Sequence, residues 1–217
     1  MDEQRENLQP EQNEAAAQDA KKTERGWESL AFLHDMVYLL AIVTILFTFF
    51  FRLVAVDGSS MYPTLVDKDY LVLESNFLYR NVKQGDIVVL KVDYFEKPIV
   101  KRVIATGGQT VDIDFEQGIV YVDGAALDED YVNEPTYKSY LEYGMGLDYP
   151  VEVPEGSVFV MGDNRNESAD SRFAPVGCVP ASQISGRALL IVVPGSQTDK
   201  QGNITGGRVW RRIGAVA

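Results

Sequence analysis

Hydrophobic and polar positions divide the chain into three stretches. Residues 1–28 are polar, carry charges of both signs and contain the run Ala15-Ala16-Ala17. That composition predicts a disordered or loosely helical tail. From Met36 to Val56 the sequence MVYLLAIVTILFTFFFRLVAV carries a single charge, Arg52. As a helix those 21 residues reach roughly 30 Å, the thickness of a bilayer's hydrocarbon core. The alternative is a buried helix of a soluble core, but a soluble helix keeps a polar stripe and this run has none. Arg52, near the far end, can extend its head to the lipid headgroups. From Asp57 onward the pattern changes again. Short apolar or alternating runs at 70–73, 86–90, 99–104, 118–122, 157–161 and 188–193 predict strands. Gly85, Gly107-Gly108, Asp123-Gly124 and Pro154-Glu155-Gly156 separate them as turns. No stretch after the apolar run sustains a 3.6-residue period, so the globular part is expected to be mostly β, a barrel or sandwich.

This pattern organises the chain as a polar tail over 1–35, an anchor helix over 36–56 and a β core over 57–106 and 154–194. A Tyr-rich, turn-rich insertion over 107–153 and a terminal segment over 195–217 complete it. The apolar run is too long for a secretory signal peptide, follows an acidic segment and lacks a small-x-small triplet after it, so it reads as an uncleaved anchor. Lys21, Lys22 and Arg25 precede it, whereas Arg52 and Lys68 alone follow closely. That bias predicts a cytoplasmic N-terminus and a globular part across the membrane.

Composition narrows the chemistry. The net charge of −12 argues against a general nucleic-acid binder. One cysteine, Cys178, excludes an intramolecular disulfide, and it reads as a packed small apolar residue. One histidine, His34, leaves a Cys/His zinc site without ligands, and no metal or cofactor is expected. His34 lies ahead of the apolar run, at the inner membrane face of the predicted topology, out of reach as a base for a site across the bilayer.

Three segments carry residue types that could react. Gly58-Ser59-Ser60-Met61-Tyr62-Pro63-Thr64 follows the anchor. A serine between glycine and proline can present its hydroxyl in a tight turn among converging N–H groups, although a plain surface turn has the same composition. In Pro98-Ile99-Val100-Lys101-Arg102-Val103-Ile104 a strand would place one cation on each face. An amine stripped of water loses its proton more readily and can then take one from a hydroxyl; an edge strand with both cations in solvent is the alternative. The segment 162–172 is a dense polar loop. It could be a solvated loop, but its carboxylates are too few for calcium and two arginines oppose them. In a functional loop, Ser168 could aim a neutral amine, and Asp163 or Asp170 could pair with Arg172.

In this order these segments resemble bacterial type I signal peptidases, Ser/Lys serine proteases. Ser60-Met61-Tyr62-Pro63-Thr64 is similar to that family's Ser-Met-x-Pro-Thr motif, Gly85-Asp86-Ile87-Val88 to a strand motif, and Lys101-Arg102-Val103 to the motif of its lysine base. Gly162-Asp163-Asn164-Arg165 through Ser168, Asp170, Ser171 and Arg172 is similar to its last motif. The resemblance implies a β-barrel catalytic core with an inserted β subdomain behind one transmembrane helix. It implies a membrane endopeptidase that removes signal peptides from exported preproteins through an acyl-enzyme, preferring small residues one and three places before the cut. Ser60 would be the nucleophile, Lys101 the general base, and Ser168 the group that orients Lys101. Gly58 stands where some relatives have a second oxyanion donor. Val56, Met61, Leu65 and Val100 are placed to wall a shallow groove, and Phe77-Leu78-Tyr79 to meet the membrane. Preproteins and the lipid bilayer are the expected partners, with no nucleic acid and no obligate protein partner. A self-cleaving regulator would need a DNA-binding module in place of the anchor, and a non-catalytic scaffold would not need Ser60, Lys101, Ser168 and Asp170 together.

Overall fold

A computed structural model describes residues 8–216. Helix α1, Leu8–Phe49, is followed by strands β1 (Phe51–Ala55), β2 (Tyr70–Ser75), β3 (Ile87–Leu90), β4 (Ile99–Thr106), β5 (Thr110–Asp114), β6 (Ile119–Val122) and β7 (Ala125–Ala126). Then come β8 (Val151–Glu152), β9 (Ser157–Met161), β10 (Val179–Pro180), β11 (Ile184–Val193), β12 (Ser196–Thr198), β13 (Ile204–Arg208) and β14 (Gly214–Ala215). The chain separates into two compact units, residues 1–48 and 49–217.

Among the described residues, Leu30–Phe49 is the stretch long and apolar enough to cross a membrane, all but its last residue in the first unit. Its bounds differ from those expected over 36–56 at both ends. His34 and Asp35 fall inside its first turns rather than before it, and the helix continues N-terminally into the polar tail as far as Leu8. At the other end the helix stops at Phe49. The carbonyls of Phe49 and Phe50 are taken by the Ser75 hydroxyl and N–H, at 3.0 and 2.9 Å. Phe51–Ala55 then pairs antiparallel with β2, from Phe51↔Glu74 to Ala55↔Tyr70. Hydrophobicity alone runs unbroken through this junction, because an apolar run reads equally as helix or strand. Arg52 therefore stands on an exposed strand, outside the spanning helix.

The second unit is mostly β, a curled half-barrel. Its main sheet runs β1-β2-β11-β3-β4-β9-β10, with β14 added to β11. All pairings are antiparallel. Bulges in β11 and between Val103 and Ala105 of β4 increase the twist that curls it. β3 is buried on both faces, which explains its uninterrupted Ile-Val-Val-Leu run. Val88 and Leu90 enter a core with Val103, Val158, Val160 and Phe173, while Ile87 and Val89 enter another with Val56, Met61, Leu65 and Val100. A third core joins Ile104, Phe159 and Met161 to Val111, Ile113, Val120 and Val122. It thereby fixes a second sheet, β7-β6-β5-β8, against β4 and β9. Cys178 packs at the edge of this third core as a free thiol, and burial raises its pKa.

Candidate active site

Ser60 lies in the turn after β1, and Lys101 is the third residue of β4. The Lys101 amine donates to Ser60 Oγ at 2.6 Å and to the Val100 carbonyl at 2.9 Å. Lys101 is 3% exposed. Burial takes its pKa down to about 8, against the upward pull of the Asp170 and Asp163 carboxylates, with Arg172 pushing the same way as burial. The neighbouring Arg102 is equally buried, and its guanidinium forks onto Asp163 at 2.8 and 2.7 Å while the Tyr131 ring lies 3.9 Å from its centre. Neither cation of β4 is at a solvated edge.

The loop after β9 holds this pair in place. Asn164 donates its backbone N–H to the Ser60 carbonyl at 3.1 Å, and its side-chain amide to the Ser59 carbonyl at 3.0 Å. Asp163 accepts from the Thr64 hydroxyl at 2.6 Å, so one carboxylate ties the Ser60 loop to Arg102. A Cβ on Gly162 would stand 2.3 Å from both the Ser60 carbonyl oxygen and Ser168 Oγ, an approach that only glycine permits. Of the two pairings open to Arg172, the structure has Asp170, at 2.9 and 2.8 Å. Burial alone would raise the Asp170 carboxyl. Arg172 outweighs that and holds it below the usual carboxylate range, helped by the Gly162 N–H and the Ser168 side chain. Arg165, fully buried, reaches Glu129 and Thr136, and the Tyr140 hydroxyl donates to the Ser168 carbonyl.

The expected site residues fall in three groups. Ser60, Lys101, Val56, Met61 and Val100 line one groove of about 300 Å³, together with Val54, Ile99 and Pro98. Asp163, Asp170 and Arg172 do not line it; they brace the loops that carry Thr64 and Gly162. Three expectations need correction. Leu65 is fully buried in the core with Met61 and Leu71 and does not reach the groove. Ser168 is buried beside Gly162, but among the described residues its hydroxyl makes no hydrogen bond of good geometry; its expected bond to Lys101 is replaced by those to Ser60 and Val100. In the Phe77-Leu78-Tyr79 stretch, Tyr79 is buried with its hydroxyl on Asp86, and Phe77 and Leu78 alone are exposed. The Gly58 N–H is bonded to Asp67 at 2.9 Å. Sequence reasoning gave no role to Arg102 or Asn164, which stood within the quoted motifs. It also missed Asp69 and Arg212, which no motif marks.

A serine hydroxyl against a buried, depressed amine on a curled β sheet suits a serine endopeptidase, and the comparisons with known proteins give that class. Residues 29–193 match the model of the signal peptidase family, peptidase S26, and the chain belongs to that family. It is 39% identical over 159 residues to a probable signal peptidase I-1 of Synechocystis sp., covering 69% of this chain and 75% of that one. It is 31% identical over 189 residues to a signal peptidase I of Bacillus licheniformis, covering 83% and 97%. A crystal structure of a signal peptidase I from Enterococcus faecalis overlaps at 28% identity with a TM-score of 0.40, covering 50% of this chain and 97% of that one.

Proposed function

We propose that this protein cleaves N-terminal signal peptides from exported preproteins, with Ser60 as nucleophile and Lys101 as general base. The observation that carries the reading is the 2.6 Å contact between Ser60 Oγ and a lysine amine whose pKa is about 8. Near that pH much of the amine is neutral and can accept a proton. Ser60 Oγ attacks the scissile carbonyl carbon as its proton passes to Lys101 Nζ. The resulting ammonium returns that proton to the leaving amine, which departs as the new N-terminus. Water then attacks the acyl carbon as Lys101 takes its proton, the bond from that carbon to Ser60 Oγ breaks, and the ammonium returns the proton to Oγ, freeing the carboxylic product and restoring the Ser60 hydroxyl. The Ser60 N–H is the oxyanion donor in this reading. Gly58 is not the second one, because its N–H is committed to Asp67.

The groove supports the substrate assignment. Among the described residues, residues 53–55 of β1 pair only with β2, and residues 99–101 of β4 pair only with β3, so both walls carry strand edges open to a further strand. An extended chain can take main-chain bonds from such edges. Val56, Met61 and Val100 leave apolar space beside Ser60 that suits alanine-sized side chains at the first and third positions before the cut. The spanning helix fits a protein held in the cell membrane with its N-terminus in the cytoplasm and its catalytic unit on the outer face. The deciding measurement is cleavage of a preprotein carrying alanine at both positions. Ser60→Ala and Lys101→Ala should lose cleavage by about 10²–10⁴-fold or more. Cleavage at the wild-type rate by either variant overturns the assignment.

A further inference from the structure

The family match ends at residue 193, yet the chain beyond it returns to the nucleophile loop at several points. That loop, residues 57–68, is closed at its neck by two backbone bonds between Val56 and the Lys68-Asp69 pair, 2.8 and 2.9 Å. Asp69 is fully buried. Its carboxylate accepts from the Val66 N–H at 2.8 Å, from the Gly195 N–H at 2.7 Å, and from both terminal nitrogens of Arg212 at 2.9 and 2.7 Å. Three of those four bonds come from beyond residue 193. Arg212 also donates to the Thr64 carbonyl at 3.0 Å, and Thr64 is the residue whose hydroxyl reaches Asp163. Gly195 is fixed by the same closeness: a Cβ there would stand 2.0 Å from the Asp67 carbonyl oxygen.

A second tie comes from the turn of the β12–β13 hairpin. The Lys200 carbonyl accepts from the Asn164 side-chain amide at 2.7 Å, the same amide that donates to the Ser59 carbonyl. The loop bearing Ser60 is thus held at its neck by Arg212 and at its tip through Asn164. A bidentate guanidinium on a buried carboxylate is the most geometrically exacting of ion pairs, and it fixes orientation as well as distance.

We propose that Arg212 is a positioning residue for the proteolytic reaction, holding the Ser60 loop through Asp69 and Thr64 so that the hydroxyl stays on the Lys101 amine. The segment after residue 193 is then part of the catalytic apparatus rather than a trailing end. This rests on the Ser60–Lys101 reading. Arg212 touches no reacting atom, so its loss should act on the chemical step and leave substrate binding alone. A nucleophile displaced by about 1 Å can lose about 10²-fold in rate.

The test uses the full chain in detergent with a preprotein substrate, and measures kcat, KM and the pH dependence of kcat/KM. Arg212→Lys keeps the charge but cannot fork onto Asp69. It should lower kcat by about 10-fold or more with KM within about twofold. Its pH midpoint should move upward, because a loosened Ser60 turn lets water reach the Lys101 amine. Arg212→Gln leaves the buried Asp69 unpaired and can fail to fold, so the double variant Asp69→Asn with Arg212→Gln accompanies it, and melting temperature is recorded for all. A folded Arg212→Lys with wild-type kcat and an unmoved midpoint overturns the proposal, whatever the other variants do. Lower stability with unchanged kcat and midpoint also overturns it, since that marks a purely structural pair. Ser60→Ala and Lys101→Ala run alongside: if they cleave normally the dyad reading fails by itself, whereas their inactivity beside a wild-type Arg212→Lys isolates the failure to Arg212.

Discussion

At the scale of single residues, the proposed chemistry depends on an amine kept away from water. Lys101 is buried in β4 with Ser60 Oγ at 2.6 Å, and burial is the largest influence on its pKa. With the neutral form as the proposed base, kcat/KM should rise with pH along a limb of unit slope with a midpoint of about 8. A flat profile between pH 6 and 9 would show that Lys101 does not titrate in the reaction. The same burial has a consequence for stability. The unfolded chain binds the lysine proton up to its ordinary pKa of 10.5, while the folded chain releases it at about 8. Between those values the unfolded state holds more protons, so stability rises with pH through that window; below it the full deficit is present. Lys101→Met removes the deficit. We expect the variant to be inactive yet more stable at pH 7, by up to about 3 kcal/mol, the free energy that separates the two affinities for the proton. Its advantage should fade as pH climbs from 8 towards 10.5 in thermal melts. A variant less stable than the parent at pH 7 would mean that the bonds to Ser60 and Val100 outweigh the cost of burying the charge.

At the scale of elements, the site is a meeting of two strand ends with one loop. β1 delivers Ser60, β4 delivers Lys101, and the loop after β9 locks both with Asp163, Asn164 and the Asp170–Arg172 pair. The closest packing between loop and turn is at Gly162, flanked by the Ser60 carbonyl oxygen and Ser168 Oγ. Gly162→Ala has to push the Ser60 backbone, which has no rotamer to change. It should cost about 1–3 kcal/mol of stability and depress kcat more than it raises KM. Unaltered kinetics in that variant would mean that the turn yields without moving the hydroxyl. Much of this assembly was legible in the sequence. Strands 70–75, 87–90, 99–106, 119–122 and 157–161 follow apolar runs bounded by Gly and Pro, and a lysine inside such a run is conspicuous. The junction at Phe49 was not legible, because the run remains apolar from helix into strand and a partner strand, through Ser75, ends the helix. Arg102–Asp163 and Asp69–Arg212 were not legible either. Their partners lie 61 and 143 residues apart, and no local pattern records which carboxylate a distant arginine will meet. Leu65 was misplaced for a related reason: an apolar residue near the nucleophile can face the groove or the core, and period-2 alternation does not extend into a turn.

At the scale of the whole molecule, an apolar helix and a catalytic β unit share one chain, and the physical value of that union is concentration. A signal peptide is itself an apolar segment that partitions into the bilayer, so an enzyme anchored in the same membrane meets it in a thin layer rather than in bulk volume. Confinement of that kind raises effective concentration by about 10²–10⁴-fold without any new contact. The gain belongs to encounter and should leave the bond-breaking step untouched. Reconstituting the full chain and a preprotein into the same lipid vesicles should therefore give fast cleavage. Placing them in separate vesicle populations should slow it by about 10²-fold or more. A short soluble peptide carrying the same cleavage sequence samples bulk solution in both arrangements, so its kcat/KM should be equal in the two. Equal cleavage of the preprotein in shared and separate vesicles would remove the reason for the helix as an anchor, and Leu30–Phe49 would then need another role. A difference in the soluble peptide as well would show that the two preparations hold different amounts of active enzyme, since confinement cannot act on a substrate that is not in the membrane.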